Sequence, residues 1–169
     1  MVNRVRQAGA GLAVLVLAVS PLGSQPKINV RETERRLFEE VNRVRRAQGL
    51  ERLEWNRRLA QEARRHALNM AARRFFAHRD PQRGDIAERL SASHIRWRKC
   101  AENLFRERGY DDPATVAVQN WQESPGHRQF MLDAVMTQTG VGVAIQGPDT
   151  VVIVQDFIRP PDPPPRRSR

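Results

Sequence analysis

Three short stretches hold the residue types that could do chemistry: Phe75-Phe-Ala-His-Arg-Asp-Pro81, Ala101-Glu-Asn-Leu104 and Trp121-Gln-Glu-Ser-Pro-Gly-His-Arg128. Their reactive groups are His78, Glu102 and His127. Two imidazoles and a carboxyl group that converge can hold a divalent ion such as zinc, pass a proton, or close a buried hydrogen-bond network. The separations, 24 and 25 residues, match no local metal motif such as His-Glu-x-x-His. Only the fold can bring these groups together. Ser124, close before His127, suggests a nucleophile beside a base, but Ser124-Pro-Gly reads first as a helix-ending turn.

Those groups need elements to position them. The pattern predicts a helix from about Val30 to Gln48, with Asn29 and Glu32 as a capping pair and Leu37, Phe38, Val41, Val44 and Ala47 as its apolar face. A connector, Leu50 to Trp55, leads to a second helix from Asn56 to Arg74 that buries Leu59, Ala63, Ala67 and Met70. His66 borders that face and reads as a packed residue, and His94 is given no role. Asp85 to Ser91 reads as a short helix and Arg98 to Arg106 as a strand through Glu102. Asp112 and Pro113 open a helix that runs to about Glu123, and a short helical turn covers Phe130 to Leu132. Gly140 to Ile145 and Val151 to Phe157 form a closing hairpin. Helices first and a hairpin last imply an α+β layer fold, helices on a small antiparallel sheet.

Length and composition suit one globular domain: 169 residues, 40% of them hydrophobic. Residues 1–25 read as an export signal: Arg4 and Arg6, an apolar run from Ala8 to Val19, then Ser20-Pro-Leu-Gly-Ser24. Pro21 directly follows the small residues of Ala18-Val-Ser20, so the segment is either a cleaved signal peptide or an N-terminal anchor. The expected location is extracellular or periplasmic. Residues 26–158 form the domain, and residues 159–169 form a Pro/Arg-rich tail unable to build a core. Half of the +10 charge lies in the two terminal stretches, and the rest is mixed with acids. No basic stripe interleaved with aromatics appears, so nucleic acid is not an expected partner. Weak attraction to anionic membrane or cell-wall polymers is compatible with the charge. The single cysteine, Cys100, cannot form an internal disulfide and is expected to be buried.

From about Leu37 to Phe157 the chain resembles the CAP domain, also called the SCP domain, of cysteine-rich secretory proteins, venom antigens and plant pathogenesis-related proteins. The residues that carry the resemblance are Leu37-Phe-Glu-Glu-Val-Asn-Arg-Val-Arg-Arg46, Leu53-Glu-Trp55, Phe75-Phe-Ala-His78, Ala101-Glu-Asn-Leu104, Trp121 to Arg128, and Gly140-Val-Gly-Val143 before Gln155-Asp-Phe157. The resemblance implies a three-layer α-β-α sandwich with a cleft lined by two histidines and one or two glutamates. His78, Glu102 and His127 match that set. At the place of the second family glutamate stands Ser124, with Glu123 one residue earlier and turned by about 100° on a helix. Lack of paired cysteines resembles the bacterial branch. The function implied is an exported, non-catalytic binding or interaction module that takes a divalent ion such as zinc between His78, Glu102 and His127. Two alternatives stand beside it: a metal- or His/Glu-dependent hydrolase acting on peptides or cell wall, and a lipid- or sterol-binding protein.

Overall fold

A computed structural model of the chain describes residues 28–109 and 111–162. The export-signal reading of residues 1–25 and residues 163–169 of the tail lie outside the described residues.

Among the described residues, five helices and four strands follow in the order α1 (Val30–Ala47), β1 (Glu54–Trp55), α2 (Arg57–Arg73), α3 (Ile86–Ala92), β2 (Lys99–Arg108), α4 (Pro113–Glu123), α5 (Pro125–Met131), β3 (Gln138–Gln146) and β4 (Thr150–Arg159). Side-chain caps start α1, α2 and α3. Asn29 accepts the Glu32 N–H, Asn56 accepts those of Arg58 and Leu59, and Asp85 and Glu88 form a reciprocal capping box on α3. The Glu32 carboxylate goes to Arg35 instead of back to Asn29, so that cap is one-sided.

The sheet order is β1-β3-β4-β2. β4 runs antiparallel to both β3 and β2, while β1 adds a two-residue parallel pair to β3. The sheet is therefore mixed, although its three long strands are antiparallel as expected. Two residues are too few to show a period, which is why β1 reads as a connector in the sequence.

Strand alternation assigns the two faces. Val141, Val143, Val151, Ile153 and Phe157 pack with Leu37 and Val41 of α1 and Trp121 of α4. Ala144, Val152, Val154 and Leu104 pack with Ala63, Ala67 and Met70 of α2. The result is helices, sheet, helices in three layers. Contact between α2 and β3 is backbone-close. A Cβ placed on Gly140 would lie 2.2 Å from the Ala60 nitrogen, and one on Gly142 would lie 2.1 Å from the Arg64 nitrogen. The two glycines are what let α2 lie that near the strand.

Two local expectations change. Ala47 is exposed, and Arg45 is buried in the last turn of α1. Its guanidinium donates to the carbonyls of Glu51, Met131, Asp133 and Met136, tying α1 to the segment before β3. The helix break at Ser124 is a single residue. Ser124 ends α4, and α5 begins at Pro125, so His127 sits inside a helix and not in a loop.

Candidate functional site

His78 follows α2 on a segment held from below. Arg74 adopts the left-handed conformation that ends the helix (φ 56°), and its N–H bonds the Met70 carbonyl. His66, fully buried on α2, faces the Ala77 carbonyl through Nε2 at 3.0 Å. A carbonyl only accepts, so that nitrogen carries the hydrogen. Burial drives the His66 pKa below the ordinary value, and the nearby Arg89 charge adds to this against the pull of Glu102. Asp80 then accepts the N–H groups of Gln82 and Arg83 and the amide of Asn69, closing the turn.

Glu102 is on β2, on the face covered by α2 and α3, and its side chain is 2% exposed. Its Oε1 meets His78 Nδ1 at 2.9 Å. Its Oε2 receives Arg89 Nη2–H from α3. The same guanidinium donates to the His78 carbonyl at 2.8 Å. Arg89 thus fixes both partners of the His78–Glu102 bond. It is itself fully buried, beside Glu62, which also takes the Arg83 guanidinium and the Ser93 hydroxyl. Directly across the ladder from Glu102 stands Asp156 of β4. Complete burial raises the Asp156 pKa well above its ordinary value, and the Glu102 charge raises it further. Cys100, half-buried on the same face, has its thiol pushed up to about 11, first by burial and then by Asp156. It is a protonated, unreactive thiol at neutral pH.

His127 approaches from the opposite face. Asn103, one residue after Glu102 and so turned the other way, donates to the His127 carbonyl at 3.1 Å. His127 Nδ1 lies 2.9 Å from the Ser124 hydroxyl. Its pKa is lowered, by burial and then by the positive field of His78.

His78 and His127 line one cleft of about 270 Å³, together with Phe76, Leu104, Arg106 and Asn120. The structure therefore brings His78 into contact with Glu102, and His78 and His127 into a shared hollow. Glu123 is exposed and lines no part of it. Among the described residues, no three His, Cys, Asp or Glu side chains gather as a metal-ligand set. Glu102 accepts from Arg89, bonds His78 and does not line the cleft. The Nε2 atoms of His78 and His127 are the nitrogens left for a ligand.

Arg89 and Asp156 escaped the sequence reading. Arg89 reads there as one charge on a short helix. Asp156 did carry a signal, as a carboxyl group inside the apolar run Val151 to Phe157.

Residues 38–157 match the model of the cysteine-rich secretory protein family, CAP. An uncharacterized membrane protein of Bacillus subtilis, YlbC, is 32% identical over 127 residues, which are 75% of this chain and 34% of that protein. An extracellular protein containing a SCP domain from Bacillus anthracis superimposes with a TM-score of 0.70 at 27% identity, over 77% of this chain and 41% of that one. An outer surface protein of Borrelia burgdorferi shares the fold (TM-score 0.71, 19% identity), over 82% of this chain and 100% of that one. The chain thus spans well under half the length of the first two. Among the described residues, no helix is long and apolar enough to cross a membrane.

Proposed function

The chain belongs to the cysteine-rich secretory protein (CAP) family, and from that premise we propose that it is an exported binding module whose recognition site is the cleft between His78 and His127. The observation that carries this reading is the state of Glu102. Its carboxylate is buried, neutralised by Arg89 and bonded to His78. A carboxylate so placed orients an imidazole; it does not reach a substrate as a general base. Export is supported by the extracellular and outer-surface neighbours and by the signal-like residues 1–25.

A divalent ion fits this donor set in a restricted way. His78 and His127 would hold it through Nε2, with solvent or ligand atoms completing its shell. Glu102 does not fit as a third ligand, because it is buried between His78 and Arg89 and does not line the cleft. When bound, such an ion would supply a positive point to which an anionic or carbonyl group of a ligand binds. Zinc added to the 169-residue chain is expected to raise the melting temperature, and His78→Ala or His127→Ala to abolish the gain. A transition that zinc leaves unmoved would remove the ion from the proposal.

One observation favours hydrolysis as a second reading: the Ser124 hydroxyl is 2.9 Å from His127 Nδ1. Against it, His127 bonds no carboxylate among the described residues, so the third member that orients a catalytic base is missing. Casein and peptidoglycan are expected to be cleaved at equal background rates by the natural chain and by His127→Ala. A rate that falls with that substitution would favour the hydrolase.

A further inference from the structure

The cleft runs along an unpaired strand edge. Among the described residues β2 pairs with β4 alone, and four consecutive residues of it, Leu104 to Glu107, line the cleft. Ladder alternation fixes which way their backbone groups point. The Thr137 and Thr139 carbonyls accept from the N–H groups of Glu54 and Asn56, so the odd-numbered residues of β3 face outward. Carried through the registers of β3 with β4 and of β4 with β2, this turns the even-numbered backbone groups of β2 away from the sheet. The Leu104 carbonyl confirms the direction, since it accepts Trp121 Nε1–H at 3.0 Å. Its own N–H, and the N–H and C=O of Arg106, point the same way and find no partner among the described residues.

Walls flank that edge. On the α2 side, Phe76 lies under the Arg106 guanidinium, 4.7 Å from its ring centre. On the other side stand Asn120 of α4 and His127 of α5. Arg106 is exposed and pairs with no carboxylate among the described residues. Trp121 takes the Leu104 carbonyl; the Leu104 N–H and the N–H and C=O of Arg106 remain, and main-chain groups left in a walled cleft are complementary to another main chain.

We propose that the ligand of this cleft is an extended peptide that adds as a further strand along Leu104–Arg106 and places an acidic side chain against Arg106. The proposal rests on the cleft being the recognition site and names its ligand class. Backbone hydrogen bonds hold the peptide in register, and the imidazoles of His78 and His127 meet its end nearer Glu102.

The geometry supplies its own test. The Arg106 N–H points outward, so Arg106→Pro deletes an edge donor without removing a bond to β4. The probe is a pool of short randomised synthetic peptides, each carrying an aspartate, with the tightest binder resynthesised for titration against the 169-residue chain. Arg106→Ala, which loses the guanidinium and keeps the donor, is expected to weaken binding about fivefold, and Arg106→Pro about tenfold beyond that. N-methylating alternate backbone nitrogens of the peptide is expected to weaken binding to the natural chain by a similar factor, in one register only. These N-methyl peptides decide the matter if Arg106→Pro does not fold. Equal affinities for the Pro and Ala variants, both folded, or indifference to N-methylation in either register would overturn the strand-addition proposal. So would a pool with no binder at about millimolar concentration. The cleft reading is judged separately, by whether His78→Ala and His127→Ala weaken binding of the resynthesised peptide whatever its response to N-methylation: unchanged affinity in both would place the peptide outside the cleft.

Discussion

Glu102 and Asp156 occupy one ladder position on neighbouring strands, so two carboxyl groups face each other inside the fold. Among the described residues, only one of them is bonded to a cation: Arg89 bonds Glu102. Two adjacent carboxylates and one guanidinium would leave a buried net negative charge, and the Asp156 proton removes it.

The first prediction concerns that proton. Asp156 has a raised native pKa and an ordinary value near 3.8 when unfolded. Above that value the native state holds a proton that the unfolded chain has released. Stability from Asp156 is therefore complete below pH 3.8 and lost as pH rises towards the native pKa. Asp156→Asn cannot ionise and keeps the shape. Denaturant unfolding is expected to show the variant gaining on the natural chain by up to about 1.4 kcal/mol per pH unit within that window. An advantage that does not change with pH would contradict a protonated Asp156.

Arg89→Ala leaves Glu102 and Glu62 buried without their shared cation and frees the His78 carbonyl. The expected loss is about 3–5 kcal/mol. Adding Glu102→Gln removes one stranded charge, so the double variant is expected to be more stable than the sum of the two single changes allows. Chemical denaturation of the four chains measures this coupling. Strict additivity would mean that the two groups do not depend on each other.

Arg45→Ala strips the donor from four carbonyls and opens a hollow under the last turn of α1. A loss of about 3 kcal/mol is expected in thermal or denaturant unfolding. Arg45→Lys keeps the charge but not the planar fork, and should recover less than half of it.

Gly142→Ala tests the approach of α2 to β3. The added methyl meets backbone, not a movable side-chain end, at 2.1 Å. It is expected to destabilise by about 3 kcal/mol or more, whereas Gly126→Ala, with open space around it, should change stability by under about 1 kcal/mol. Comparable melting temperatures for the two would refute the close packing.

The sequence discloses whatever repeats with a period. α1, α2, α4 and the β3–β4 hairpin emerge from apolar spacing, and Asn29, Asn56, Asp85 and Asp112 mark helix starts by their own side-chain chemistry. The motifs around His78, Glu102 and His127 were visible as residue types, but their roles were not. Glu102 reads as a free ligand until Arg89, from a separate helix, is seen to occupy it. Arg45 and Arg89 look like surface charges because their partners are backbone carbonyls and acids far along the chain. Burial of a charge depends on what meets it in space, and local sequence holds no trace of that.

β4 sits at the centre of the sheet and is its last strand in chain order. During synthesis, β2 and β3 leave the ribosome without the neighbour that both require. The nascent chain therefore keeps those strand edges open until Arg159 has emerged. A stop codon placed before Thr150 would remove the strand with which both β2 and β3 pair.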